Sequence, residues 1–347
     1  MRYRLLLSSL PLVALSLALA PTALASNTWY VDGVHGNDNN SCKSRQHACK
    51  TIGHAISLAH SGDSIMVAAA TYTENLIIGF SLKVIGSGAS ATIIDGGRVN
   101  SVVTSRANLT LSRVTIRNGS GGIGGGVVNE GSSSTLTINK STLSGNQSRN
   151  YGGGIFNGGT LTINNSTLSG NLARSGGGIY SLGPGTLVTI NNSTLSGNGA
   201  TFGGGILNGG TLAVSNSTLS GNGSGGIANG KGNATLQNSI VANSSGGNCS
   251  GTMTSDGYNL SSDNTCNFSG TGDLNNTDPV LGQLGNYGGP TQTIPLLSGS
   301  PAIDAGNPGG CTEGRGHLLK TDQRGKPRPD KEDTGGCDMG AYERQSD

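Results

Sequence analysis

GGGIFNGGTLTINNSTLSGN, residues 152–171, is the stretch whose reading decides the fold. It returns as GGGIYSLGPGTLVTINNSTLSGN (176–198) and as GGGILNGGTLAVSNSTLSGN (203–222). Looser copies flank these, GGGVVNEGSSSTLTINKSTLSGN before (124–146) and GGIANGKGNATLQNSIVAN after (225–243). The leading glycines at 124, 152, 176 and 203 are 28, 24 and 27 residues apart. A near-constant period of that size marks a stack of like units. Each unit holds three short runs, IFN, TLTIN and STLSG in the copy that begins at Gly152. The middle run alternates apolar and polar, as a strand with one buried face does. No run has helical periodicity, and Gly, Ser, Thr and Asn are poor helix formers. Three strands and three turns per unit predict one coil of a parallel β-helix, an all-β solenoid whose coils stack about 4.8 Å apart.

Stacking puts equivalent residues above one another. Val127, Ile155, Ile179, Ile206 and Ile227 form one expected buried column. Leu161 and Ile163, with Leu212 and Val214, form a second, and Leu143, Leu168, Leu195 and Leu219 a third. Asn165, Asn192 and Asn216 fall at the turn after the middle run, where stacked amides can bond along the column. Unit length varies between the third run and the next glycines and between the first and second runs, so those are the loops free to carry function.

Residues 1–25 read as a secretory leader: Arg2 and Arg4, an apolar run over 5–20, then Ala-Leu-Ala. The run is short and is broken by Pro11 and Pro21, which disfavours a membrane span, and no later run is long enough for one. Without the two leader arginines, 21 − 2 = 19 basic residues face 19 acidic ones, so charge gives no case for a nucleic-acid partner. Charged residues are only 12% and Gly is 61 of 347, a composition shared by disordered chains; the aliphatic columns in fixed phase argue against that reading. Six cysteines fall outside the repeats in three local pairs, Cys42 and Cys49, Cys249 and Cys266, Cys311 and Cys337. In an exported chain they read as disulfides, and locality selects these pairings among the 15 possible. A zinc site using Cys49 with His47 and His54 is the alternative.

Residues 26–108 read as an N-terminal cap and first coils, with strands at 28–31 and 64–67 and a short helix at 51–59 covering the open end. Residues 109–245 are the central repeats, and 246–347 the last coils and a disulfide-containing C-terminal cap.

The opening WYVDGVHGNDNN, KTIGHAISLAHSGDSIMVAAATYTENL and IIDGG resembles bacterial right-handed parallel β-helix proteins of the pectin-lyase-like superfamily. The repeats are similar to the Gly-Gly-Ile and Ser-x-x-x-Asn units of exported surface proteins of that kind, polymorphic outer-membrane proteins among them. GYNLSSDNTCNF, GDLNNTDPVLGQLGNYGGPTQTIPLLSGSPAIDAGN and TDQRGKPRPDKEDTGGCDMGAYE resemble the ending of choice-of-anchor Q proteins, which implies surface or extracellular placement. The superfamily includes polysaccharide lyases, hydrolases and esterases beside non-catalytic members, and a fold does not choose between them.

The residues themselves weigh against catalysis. Hydrolysis of a glycoside needs two carboxylates across the bond, and a calcium-dependent lyase needs several for the ion plus an Arg or Lys base. From 119 to 255 there is no Asp, no His and one acidic residue, Glu130; the basic ones are Lys140, Arg149, Arg174 and Lys231. The resemblance places catalytic groups on the outside of the first strand, where this chain has Val128, Phe156, Tyr180, Leu207 and Ala228. A catalytic site is therefore left to Asp32, Asp38 and Asp95 or to the tail. Asp32 and Asp38, with Asn37 and Asn39, are the one weak calcium candidate; no other cofactor is expected. In the tail, Asp304, Asp322, Arg324, Arg328, Asp338 and Glu343 read as a salt-bridged cap, or alternatively as a ligand site. Phe156 and Tyr180 share one outward position, while Tyr151 and Phe202 precede the glycines of their coils. With Arg149 and Arg174 they form a candidate stripe for a glycan, since flat rings stack on sugars and guanidinium groups bind hydroxyls or carboxylates. The function expected is an exported, non-catalytic surface or matrix protein that binds polysaccharide or other cell-surface material. A lyase or hydrolase and a purely structural matrix protein are the alternatives.

Overall fold

The computed structural model describes residues 26–313, 316–331 and 336–345; the expected leader lies outside them. The chain winds as a right-handed parallel β-helix. The three runs of each coil build three sheets, of eight strands for the first run, ten for the second and nine for the third. Register is unbroken through the repeats: Ile155 pairs with Ile179, Ile163 with Ile190, and Leu168 with Leu195. All three aliphatic columns are fully buried, with Val188 and Ile190 supplying the rung between Leu161/Ile163 and Leu212/Val214. Alternation makes this possible, because TLTIN turns Leu and Ile inward and leaves both Thr outward.

Polar side chains are stacked as regularly as the apolar ones. The turn asparagines Asn165, Asn192 and Asn216 adopt φ of 49°, 51° and 48°, a left-handed conformation that Asn tolerates. Asn192 donates to Asn165 at 2.8 Å as expected, but Asn216 is bonded instead by Asn238 at 3.1 Å. The longer ladder is formed by the last residue of the repeat. Asn146, Asn171, Asn198 and Asn222 are fully buried, and each of the first three gives an amide hydrogen bond to the next, at 3.0, 2.9 and 3.0 Å. Each also donates to a backbone carbonyl, so burial leaves no amide group orphaned.

The triple glycine has a steric cause. Gly152, Gly176 and Gly203 sit at φ of 66°, 65° and 62°. At Gly154 a Cβ would stand 2.6 Å from the Gly178 carbonyl oxygen, so only glycine lets consecutive coils touch there.

The N-terminal helix spans Ile52–Leu58, one residue inside each predicted limit, and the strands Thr28–Val31 and Ser64–Val67 lie where expected. Thr51 caps the helix, and the Glu74 carboxylate accepts from Ile52 N at 2.9 Å and Gly53 N at 2.7 Å. Ile52 and Ala55 join Trp29 and Val31 in the core, so the helix closes that end. All three cysteine pairs are disulfides. Cys42, Cys49 and His54 are the one metal-compatible group among the described residues, and the disulfide removes its thiolates, which overturns the zinc alternative.

The tail departs from expectation. The end of the core is closed by Cys249, Cys266 and Phe268. Residues beyond about 280 turn back and cover the outside of the third-run sheet. Ile240, Ala242 and Leu260 of that sheet form a second core with Leu296, Ala302 and Met339. Gln323 Nε2 donates to Thr167 Oγ1 at 3.0 Å, Thr194 Oγ1 donates to Gln323 Oε1 at 2.6 Å, and Ala341 N donates to Thr218 Oγ1 at 3.0 Å. It is a lateral flap rather than an end plug. The outward threonines that serve as its docking strip are alike in sequence to those left uncovered, so local sequence does not announce the flap.

Candidate functional site

The first-run sheet turns Ile77, Thr104, Val128, Phe156, Tyr180, Leu207 and Ala228 outward in one register. Beside it the segments before the glycines stack into a wall. Ile123 pairs with Tyr151, Tyr151 with Ser175, and Ser175 with Phe202. Floor and wall meet in an aromatic cluster: Tyr151 and Tyr180 ring centroids are 4.6 Å apart, and Phe156 lies stacked under Tyr180 at 5.7 Å and 9°. Burial, and then Tyr151, push the Tyr180 phenol above its ordinary value.

The expected stripe is therefore assembled, with one correction. Tyr151 (41% exposed), Phe202 (59%), Arg149 and Arg174 face solvent, but Phe156 is covered to 9% because Tyr180 stacks upon it. Phe156 is floor, not a ring offered to a ligand. Val128 is likewise buried. Arg149 alternates with Tyr151 along the strand Gln147–Tyr151, which puts both on its outward side. A cleft of about 420 Å³ continues the face toward the N-terminus, lined by Ile77, Thr104, Ile123, Val128, Glu130 and Asn150.

The carboxylates of the face and of the N-terminal loops are engaged. Glu130 takes Arg106 Nε at 2.7 Å on the surface. Asp32 accepts from Val34 N, His35 N and His35 Nδ1; Asp38 accepts from Lys50 N, Thr51 N and Thr51 Oγ1. Backbone donation from His35 holds Asp32 below its usual range; at Asp38 burial works upward and the Thr51 and Lys50 bonds outweigh it. Both aspartates shape turns, and each spends its oxygens on its own loop. Asp95 accepts from Gly97 N, Arg117 Nε and Asn118 Nδ2.

In the flap Arg328 and Glu343 are both fully buried and meet at 2.6 Å. Arg324 bridges to Asp322 at 2.7 Å and lies 3.6 Å over the Tyr342 ring. Asp322 also accepts from Lys326 N and Glu343 N, while Asp338 accepts from Asp304 N and Arg344 N. The acids hold the flap's backbone, as the salt-bridged reading expects. Burial pushes the Glu343 carboxyl up to about 8, against the pull of Arg328 and with help from Asp338.

One feature escaped sequence reasoning: a cleft of about 360 Å³ on the second-run side near the N-terminus, bounded by Tyr30, Asp32, Arg45, Met66, Ile85 and Arg113. Its residues come from the first four coils, whose sequences share little with the later repeats. Arg113 stands, at φ 59°, in the turn slot that Asn165 and its equivalents fill later.

No family model and no curated protein matches this chain. Solved structures do. Pectate lyase Pel9A aligns over 92% of this chain and 97% of its own, at 17% identity and a TM-score of 0.49. The pectin methylesterase from Aspergillus niger aligns over 73% of this chain and 86% of its own, at 16% identity and a TM-score of 0.38. The GH136 lacto-N-biosidase from Eubacterium ramulus aligns over 68% of this chain at 12% identity and a TM-score of 0.42, and the chain spans 56% of that protein's length. These are likenesses of fold.

Proposed function

We propose that this chain is an exported, non-catalytic β-helix protein of the cell surface or extracellular matrix that binds polysaccharide across the first-run face. The observation that carries the reading is the aromatic cluster of Tyr151, Tyr180 and Phe156, continued by Phe202 in register and flanked by the exposed Arg149 and Arg174. Aromatics are 4% of the chain, so four on adjoining columns are a concentration that packing of a Gly-rich solenoid does not require. Tyr151 and Phe202 are two coils apart, roughly 9–10 Å, a spacing that seats two rings of a saccharide chain laid along the stack. The guanidinium groups favour acidic sugars. Three disulfides fit export to an oxidising compartment, and the tail's resemblance to choice-of-anchor Q proteins fits surface attachment. No helix among the described residues is long and apolar enough to cross a membrane.

Non-catalysis rests on the carboxylates: along the face only Glu130 is acidic, and it is tied to Arg106. The test is affinity electrophoresis on acidic and neutral polysaccharides. Tyr151→Ala with Phe202→Ala removes exposed rings without opening the core and should abolish retention, while Arg149→Ala should weaken it on acidic glycans alone. Product release from polyuronate by the wild-type protein, with or without calcium, would establish the lyase alternative instead.

A further inference from the structure

The outward face of the second-run sheet has no part in the glycan reading, and its side chains form a two-dimensional lattice. Thr110, Thr137, Thr162, Thr189, Ala213 and Thr235 follow one another in unbroken register on six successive coils. Thr135, Thr160, Leu187 and Thr211 form a parallel column two residues earlier, and Asn139, Asn164 and Asn191 one two residues later. The spacing is about 4.7–4.9 Å across strands and roughly 6.6–6.8 Å along them. The five threonines of the first column are half-exposed, and among the described residues none of their hydroxyls has a hydrogen-bond partner.

On the third-run sheet three outward threonines are partnered. Thr167, Thr194 and Thr218 of the third-run sheet bond the flap through their hydroxyls. The flap reaches the second-run face at its far end, where Thr312 Oγ1 donates to Gln237 Oε1 and Thr312, Glu313 and Gly316 flank Ala213 and Thr235; the rungs from Thr110 to Thr189 lie clear of it. A threonine column is thus a docking strip on one side of this protein and stands bare on the other.

From these observations we infer that the second-run face binds an ordered lattice of water, the surface of ice. Charge complementarity here means neutrality: across the three columns from Thr110 to Thr235 there is no charged and no aromatic side chain. Between Lys83, which pairs with Thr110 at one end, and Asp256 and Glu313, which border Thr235 at the other, a polyanion has nothing to pair with and a sugar ring nothing to stack on. Each threonine offers a hydroxyl and a methyl at a fixed height, because β-branching restricts its rotamers. Water molecules hydrogen-bonded tetrahedrally at about 2.75 Å place their second neighbours about 4.5 Å apart. The strand spacing exceeds that by roughly 0.3 Å, so over the five steps from Thr110 to Thr235 the drift is about 1.5 Å, which hydroxyl rotation and side-chain tilt absorb. Hydroxyls at that pitch hold a first layer of water already arranged as ice requires. The ordering entropy of that layer is largely met by the protein before contact.

The test uses the full exported chain in a nanolitre osmometer, with adsorption of labelled protein to a growing ice hemisphere. Wild type is expected to hold ice growth below the melting point and to enter the hemisphere. Thr162→Tyr, which projects a bulky ring from the middle of the lattice, should remove most of the freezing gap, and Thr137→Tyr likewise. Far-UV circular dichroism and an unchanged melting temperature establish that each variant is folded. Wild type that neither shapes ice nor enters it would overturn the proposal, and so would folded tyrosine variants with undiminished activity. Retention of wild type on crystalline cellulose or chitin without ice activity would also overturn it, assigning the lattice to a crystalline polysaccharide. Glycan retention on the first-run face is read with Tyr151 and Phe202 variants, so either result stands whatever the other shows.

Discussion

A single inward residue of the repeat carries more of the fold than its outward neighbour. Ile179 is fully buried in its column while Tyr180 beside it is half-exposed. Ile179→Asp should therefore lower stability by several kcal/mol, on the order of the cost of burying an unpaired polar group. Tyr180→Asp should cost about 1 kcal/mol through lost ring stacking; equilibrium urea unfolding measures both. Asn198 accepts from Asn171 N and Nδ2 and donates to Asn222 and to Leu168 O. Asn198→Leu strands several buried groups at once and should cost about 3 kcal/mol or more. Asn165→Ala, at a turn, should cost less, and equal losses in the same unfolding assay would show that the buried ladder is not the stronger column.

Among the elements, the flap is the one whose attachment depends on pH. Glu343 has an ordinary value of 4.5 and is raised to about 8 when folded, so the folded state holds a proton that the unfolded state releases. The stabilisation is complete below about 4.5 and is lost as pH rises through about 8. The melting temperature of wild type should fall across that window, and that of Glu343→Gln, which cannot titrate, should fall less; parallel curves would contradict the assignment. Asp63 behaves oppositely. Burial acts to raise it, but Trp29 Nε1 at 2.8 Å and the His60 and Asn27 amides outweigh burial and hold it low. Its contribution at the N-terminal cap is present above its ordinary value of 3.8 and is lost in stronger acid.

At the scale of the whole molecule, a solenoid is a sum of coils and interfaces, so one coil can be removed. Deleting residues 176–202 joins Ser175 to Gly203 and restores every column, with Asn171 meeting Asn222 and Ile155 meeting Ile206. The shortened chain should fold with a cooperative transition. The flap will lose Asn192 and Thr194, two of its anchors. Hydrogen exchange should then show faster exchange at 291–343 and unchanged protection in coils 109–165; loss of protection throughout would mean that the flap is needed to hold the helix together.

Periodicity determined the β-helix and the inward columns, and local sequence the N-terminal helix and the disulfide pairings. Each depends on residues close in sequence, or repeated at a fixed interval, where alternation and steric need leave one answer. The buried Asn146–Asn222 ladder was legible in principle, since those positions repeat as faithfully as the leucines, but a polar residue gives no sign of facing inward until its partners are known. Only the tertiary structure decided that Phe156 is floor, because its cover comes from Tyr180 on the next coil. Only it showed that the tail lies along the third-run sheet, because the contacts between Gln323 and Thr167 or Thr194 join residues 156 and 129 apart in the chain. Such pairings follow no period, and nothing local distinguishes a threonine that will be covered from one that stays bare.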